Sequence, residues 1–182
     1  MKKLFFSLLC VFIVAGASAQ SFNKGDKVLN VGIGLGNSLY NGSGFKTSIP
    51  PLSASFEYGV VDHLFDDKSS IGVGGYFGYT SSKYSWGNEY DYKYSSAVVG
   101  ARGSLHYAFV DKLDTYTGIG LGYNIVSGKS DYKDLGRYSA ESSALYWAWY
   151  LGARYYFTDS FAGMAEVGYD VAYLTIGVAF KF

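Results

Sequence analysis

Apolar and small or polar residues alternate along most of the chain, most cleanly at its C-terminus. Leu174, Ile176, Val178, Phe180 and Phe182 occupy one phase, and Thr175, Gly177, Ala179 and Lys181 the other. A period of two puts such sets on opposite faces of a strand. The reading recurs upstream. Within 27–39, Leu29, Val31, Ile33 and Leu35 alternate with Asn30, Gly32, Gly34 and Gly36. Within 51–60, Leu52, Ala54, Phe56 and Tyr58 oppose Ser53, Ser55, Glu57 and Gly59, and within 70–80, Ile71, Val73, Phe77 and Tyr79 oppose Gly72, Gly74, Tyr76 and Gly78. Segments 95–109, 115–126, 143–157 and 161–169 behave in the same way. The pattern predicts eight strands of about nine to eleven residues, the length that crosses a bilayer when tilted.

The connections alternate too. Stretches 40–50, 81–94 and 127–142 are rich in Gly, Ser, Asn, Asp, Lys and Tyr and are expected to be long loops. Stretches 61–69, 110–114 and 158–160 are shorter, and 170–172 is a tight turn on the long-loop side. Long loops at one end and short turns at the other predict an all-β fold: an eight-stranded antiparallel up-and-down transmembrane β-barrel.

Charge placement decides which phase is wet. Glu57, Arg102, Arg154, Glu166 and Lys181 all fall in the small phase, and the bulky phase of the strands carries no charge. A water-soluble barrel would bury the bulky phase and turn a glycine-studded, nearly uncharged face to solvent. A membrane barrel turns the bulky phase to lipid, where Arg or Lys at the midplane costs about 2–4 kcal/mol. Tyr107, Phe109, Tyr155, Phe157, Phe161, Phe180 and Phe182 sit at strand ends, as an interfacial girdle would.

Composition narrows the picture further. The 24 glycines in 182 residues are about twice ordinary usage, and 19 Tyr and 13 Phe stand against 2 Pro. With 49% apolar residues, disorder is excluded. A single Cys excludes a disulfide scaffold, and a net charge of zero leaves no basic footprint for nucleic acid. The N-terminus reads as an export signal. Lys2 and Lys3 precede the apolar run 4–14, and Ala17-Ser18-Ala19 offers small residues for cleavage. Residues 1–19 are therefore expected to be a signal peptide and 20–182 the barrel domain. Cleavage removes Lys2, Lys3 and Cys10, leaving a slightly acidic mature chain without thiols. No later stretch is long and apolar enough for a transmembrane helix.

Four inward charges, Glu57, Arg102, Arg154 and Glu166, come from four predicted strands. The lumen of an eight-stranded barrel is just wide enough for side chains, and unpaired buried charges are costly. These four are expected to form a charge network, extended by the hydroxyls of Tyr146, Tyr150 and Tyr156. It reads as a structural plug, with a narrow proton or ion path as the sharper alternative. The glycine runs at 32–36 and 118–122 do not lead into helices, so they are strand glycines rather than phosphate loops. Asp131-Tyr132-Lys133-Asp134 lacks calcium-loop spacing, and Asn41-Gly42-Ser43 reads as a flexible loop. His106 faces inward near the short-turn end and His63 lies in a short turn. Neither shares an outward face with a Ser near the long loops, so no catalytic residue is assigned. Tyr84, Trp86, Tyr90 and Tyr92 in the 81–94 stretch offer an adaptable recognition surface.

The signal segment, the eight alternating strands and the terminal Phe182 resemble the small eight-stranded outer-membrane barrels of Gram-negative bacteria, the porin-like OmpX/OmpA-transmembrane-domain type. Residues 152–159 and 177–182 carry the likeness best. The resemblance implies an outer-membrane location, and a C-terminal aromatic signal, here Phe180 and Phe182, read by the barrel-assembly machinery. It also implies periplasmic chaperones during biogenesis. The implied role is structural or surface-interacting. Adhesins, and less often lipid-modifying enzymes or narrow pores, are the alternatives. The expected protein is a monomer in outer-membrane lipid, not an enzyme, with no cofactor, metal or nucleic-acid partner.

Overall fold

The computed structural model describes residues 22–40, 44–86, 90–132 and 136–182, with the side chains of 85–91 and 129–141 excluded. The expected signal segment 1–19, the Asn41-Gly42-Ser43 stretch and the side chains of Trp86, Tyr90 and Asp131 to Asp134 lie outside this description. Eight strands follow in order: β1 (Lys27–Asn37), β2 (Phe45–Asp62), β3 (Ser69–Trp86), β4 (Tyr90–Val110), β5 (Leu113–Tyr132), β6 (Gly136–Tyr156), β7 (Phe161–Tyr169) and β8 (Ala172–Lys181). Each pairs antiparallel with its neighbour in sequence, and β1 also pairs with β8, so the sheet closes. Closure leaves no edge with unpaired backbone groups, the condition for crossing a bilayer with strands.

The period-two phases become the two sides of the wall. Val31, Ile33, Phe77, Val99, Ile119, Trp147, Leu151 and Ile176 point outward, with Ile119 66% and Trp147 56% exposed. Asn30, Glu57, Tyr76, Tyr116, Tyr150 and Arg154 point inward and are buried. So much contiguous apolar surface far exceeds the few hundred Å² that a soluble monomer exposes. At the short-turn end Tyr107–Phe109, Phe157–Phe161 and Phe161–Phe180 rings meet at 4.7, 6.0 and 5.4 Å, forming part of a belt.

Two expectations are corrected. Only β1, β7 and β8, with 11, 9 and 10 residues, keep the expected length. β2 to β6 run to between 18 and 21 residues. Stretches 81–94 and 127–142, expected as loops, are largely paired strand, with Ser82↔Tyr94, Tyr84↔Tyr92 and Ser127↔Glu141 in register. Their Tyr, Ser and Lys read as loop by polarity, but once a ladder has been registered by the barrel below, such residues continue it. β2 enters with register shifts on either side of Ile49, next to Pro50 and Pro51, which cannot donate to a ladder. The second correction is Asp114. The sequence pattern puts it in the 110–114 connection, yet the turn is only Asp111-Lys112, with Lys112 at φ 67°, and β5 already begins at Leu113. Asp114 is thus an inward strand residue.

Residues 22–26 fold under the short-turn end. Gly25 N–H donates to the Gly59 carbonyl and Gly59 N–H to the Asp26 carbonyl, both at 2.9 Å, while Ser70 Oγ donates to the Phe22 carbonyl at 2.7 Å. This brings the Phe22 ring inside the barrel, where it is 2% exposed.

Candidate functional site

The lumen is filled in layers. Nearest the short turns, Phe22, Val28, Tyr156, Ala162 and Ala179 form an apolar floor. Above it Arg154 of β6 spreads its guanidinium to three other strands. Nε donates to Asn30 Oδ1 of β1 at 3.0 Å, Nη1 to Asp114 Oδ2 of β5 at 2.9 Å and Nη2 to Glu57 Oε2 of β2 at 2.5 Å. His106 of β4 closes the ring. Its Nδ1 meets Asp114 Oδ1 at 2.8 Å and its Nε2 meets Glu57 Oε1 at 3.0 Å. Held as an imidazolium, the ring would donate at both nitrogens. Two cations would then balance two anions. The Phe22 ring stacks on His106 at 4.1 Å, and the Tyr116 ring centre lies 4.4 Å from Arg154 Cζ. Arg154 is 1% exposed, so without these partners its charge would be prohibitively costly.

A second layer lies beyond it. Arg102 Nη2 sits 2.8 Å from Glu166 Oε2 as an ion pair, and that oxygen accepts a hydrogen bond from the Tyr116 hydroxyl at 3.1 Å. The Arg102 guanidinium lies 3.5 Å from the Tyr150 ring centre, a close cation–π contact. Tyr150 shares its hydroxyl with Ser104 Oγ at 2.9 Å. Higher still, Tyr146 donates to Asp170, and Tyr76, Val98, Ala148 and Val171 pack around it. Glycines make this possible. A Cβ at Gly72 would stand 2.7 Å from Glu57 Oε1, and one at Gly152 would overlap the Tyr116 ring.

All four residues of the expected charge network face the lumen, but they divide into two pairs. Glu57 joins Arg154, and Arg102 joins Glu166. Of the expected hydroxyls, Tyr150 approaches Arg102 and Tyr146 reaches Asp170. Tyr156 OH has no hydrogen-bond partner among the described residues, and Lys181 Nζ lies 4.9 Å from the Tyr156 ring centre. Asp114, Asp170, His106, Asn30 and Tyr116 were not in the expected network. His106 and Asn30 were readable from inward phase alone, whereas the two aspartates were hidden by turn assignments. Between the layers is a cavity of about 10 Å³ lined by Glu57, Arg102, Ser104, Tyr116 and Arg154, and a similar one lies beside Tyr76 and Asp170. Each is about the smallest volume that can admit one water.

On the extended hairpins the inward aromatics also pack. Phe45 meets Tyr84 at 5.0 Å and Tyr94 at 6.1 Å, and Tyr40 bonds Ser96 Oγ at 2.7 Å. Tyr84 is therefore partly occupied within this cluster. Tyr92 is its cross-strand partner, and Trp86 pairs with Tyr90 in backbone register. Phe180 and Phe182 stand outward on β8 and just beyond it, Phe182 being tied to Lys27 by backbone bonds of 3.0 and 3.3 Å. Among the described residues no cluster of metal-ligating side chains occurs.

No family model matches the sequence, and no curated protein does. Solved structures do match. Two crystal structures of Ail, the attachment invasion locus protein of Yersinia pestis, align with TM-scores of 0.56 and 0.55. Both show 14% identity over 87% of this chain and 99% of Ail, and in the first Ail is in complex with the heparin analogue sucrose octasulfate. The outer membrane protein OprG of Pseudomonas aeruginosa aligns at TM-score 0.46 and 15% identity, over 89% of this chain and 98% of its own. With its closed all-β sheet of eight antiparallel strands, the chain has the fold of the small outer-membrane β-barrels.

Proposed function

We propose that the chain is an integral outer-membrane β-barrel, exported with its N-terminal signal removed, that acts structurally through a side-chain-filled lumen. The observation that carries this is the sorting of the wall: bulky apolar residues outward, the lumen charges paired inside. Only a lipid surround makes that arrangement favourable. The barrel works as a monomer in outer-membrane lipid. The exposed Phe180 and Phe182 serve as the assembly signal for the barrel-assembly machinery, after passage with periplasmic chaperones. His106 has both ring nitrogens engaged by carboxylates, which leaves it no free nitrogen to activate a nucleophile, so the reading is not enzymatic.

The purified protein in detergent is expected to run faster on gels unheated than boiled, because a closed barrel stays compact until melted. Identical migration in both samples would overturn the membrane-barrel reading. Mass spectra of outer-membrane lipid with and without the protein are expected to be the same, and an altered acyl pattern would establish an enzyme instead.

A second reading, surface recognition, is favoured by the one-sided wall that β2 to β6 raise beyond the rest of the rim. Cell or matrix binding that disappears when the β3–β4 tip is cut, with the barrel still heat-modifiable, is the result that supports it.

A further inference from the structure

Five tyrosines are buried in the lumen: Tyr76, Tyr116, Tyr146, Tyr150 and Tyr156. Four of them carry a cation against the ring. Arg102 Cζ lies 5.1 Å from the Tyr76 ring centre and 3.5 Å from that of Tyr150, Arg154 Cζ lies 4.4 Å from Tyr116, and Lys181 Nζ lies 4.9 Å from Tyr156. Tyr146 differs. Among the described residues no cation lies against its ring, and its hydroxyl donates to Asp170 Oδ1. That oxygen also accepts from the Val171 backbone N–H at 2.7 Å. Tyr116, the other phenol that donates to a carboxylate, meets one whose charge Arg102 already balances.

Loss of an electron leaves positive charge on a ring, so a cation against the ring opposes oxidation and an anion at the hydroxyl favours it. A phenol becomes a neutral radical only if its proton leaves with the electron, and a hydrogen-bonded carboxylate is there to take it. On both counts Tyr146 is the lumen tyrosine that gives up an electron most easily.

Its neighbour in sequence faces the other way. Trp147 is exposed on the outer wall, about 3.8 Å along the backbone from Tyr146. Its rung continues through Leu121, Ala101 and Gly75, which places the indole in the lipid-facing band. The Trp147 ring meets Tyr169 at 5.8 Å, and Tyr169 meets Tyr173 at 6.4 Å, so the indole belongs to a file of aromatic rings along the outside. One thickness of sheet separates Trp147 from Tyr146. An electron crosses that distance, whereas a lipid chain does not.

We propose that Tyr146 is a radical sink that clears one-electron oxidation from the lipid-facing Trp147. The inference rests on the outer-membrane reading above. The oxidant is a lipid peroxyl radical, formed where dioxygen adds to a carbon-centred radical of a surrounding lipid chain. The peroxyl radical takes one electron from the Trp147 indole and one proton from interfacial water, and becomes a lipid hydroperoxide. An electron from Tyr146 then refills the indole. In that step the Tyr146 O–H bond breaks, its proton passes to Asp170 Oδ1, and the unpaired spin stays on the phenoxyl ring. The phenol has lost one electron and one proton, the peroxyl radical has gained one of each, and Asp170 has taken up the equivalent of the proton that water gave. Val98, Ala148 and Val171 pack around Tyr146, which keeps the radical away from lipid.

The test uses the full chain in nanodiscs of polyunsaturated phosphatidylcholine, with peroxyl radicals generated by a lipid-soluble azo initiator. Wild type is compared with Tyr146→Phe, Asp170→Asn and Tyr150→Phe. Freeze-quenched electron paramagnetic resonance of wild type is expected to show a tyrosyl signal that narrows with ring-deuterated tyrosine and forms more slowly in heavy water. Tyr146→Phe is expected to abolish it. Asp170→Asn keeps the phenol and a hydrogen-bond acceptor but removes the base, and is expected to weaken the signal. In both variants the oxidative loss of Trp147, followed by peptide mass spectrometry, is expected to rise severalfold. Tyr150→Phe is expected to behave as wild type. Equal Trp147 loss in wild type and Tyr146→Phe would overturn the proposal, as would a wild-type signal carried by tryptophan or one abolished by Tyr150→Phe. Gel heat-modifiability and quenching of tryptophan fluorescence by chain-brominated phosphatidylcholine are read first for all four proteins. Their failure in wild type removes the membrane reading itself, whereas their success without a tyrosyl signal removes only the sink.

Discussion

Arg154 is the residue on which most of the lumen converges. Its three donors reach β1, β2 and β5 from β6, and His106 brings β4 into the same ring. Arg154→Ala would leave Glu57 and Asp114 buried with half their partners gone. The expected loss is about 3–5 kcal/mol, seen as a lower melting temperature in detergent. Unchanged stability together with new ion conductance would show a gated path rather than a plug. In the short turn between β2 and β3, Asp66 shows a milder effect. The Lys68 backbone N–H at 3.0 Å and the Tyr107 hydroxyl at 2.9 Å hold its carboxyl below the ordinary value. A lowered folded-state value means stabilisation that is present above the unfolded carboxyl's pKa, near 3.9, and lost as pH falls through the folded one. The protection of the Lys68 amide against hydrogen exchange, taken relative to its intrinsic rate at each pH, is expected to fall below about pH 4, and Asp66→Asn should abolish that dependence. The inward phase of Arg154 is legible from alternation alone. Its partner Asp114 is not, because a turn built from Asp-Lys without Gly carries little local signal.

At the scale of the strand, the small phase of the sequence becomes room. Gly152 leaves space on β6 for the Tyr116 ring of β5, which in turn donates to Glu166 of β7. Gly152→Val should displace Tyr116 and cost about 1–3 kcal/mol by overpacking, with a correspondingly lower midpoint of urea unfolding. The raised hairpins obey a different rule. Their tips are held by their own ladders and by the Tyr40, Phe45, Tyr84 and Tyr94 cluster, not by the lumen. Replacing residues 84–92 with a tight Asn-Gly turn is therefore expected to leave heat-modifiable migration intact. Loss of barrel folding in that variant would show that the wall nucleates the sheet. The length of these strands was not legible because polarity distinguishes membrane from water, whereas pairing distinguishes strand from loop.

For the whole molecule, closure and filling together govern transport. The pairing of β1 with β8 seals the wall, while Phe22, two charged layers and the Tyr146–Asp170 contact block the axis. Cavities of about 10 Å³ have room for at most a single water each, not for a continuous file. Planar-bilayer recordings of the wild-type barrel are expected to show no stepwise conductance, and discrete, reproducible openings would contradict a plugged lumen.

The sequence by itself determined the all-β class, the eight strands, the direction in which each strand faces and the sorting of charge away from the outward phase. Those properties follow from period two and from the cost of charge in hydrocarbon, which act residue by residue. Tertiary structure alone decided which inward groups meet, since register between strands sets whether Arg154 finds Glu57 or Glu166. It also decided that Phe22 enters from below and that β2 to β6 outrun their neighbours. Cross-strand contact depends on closing the sheet with a particular stagger, a property of the whole barrel that is written in no single strand.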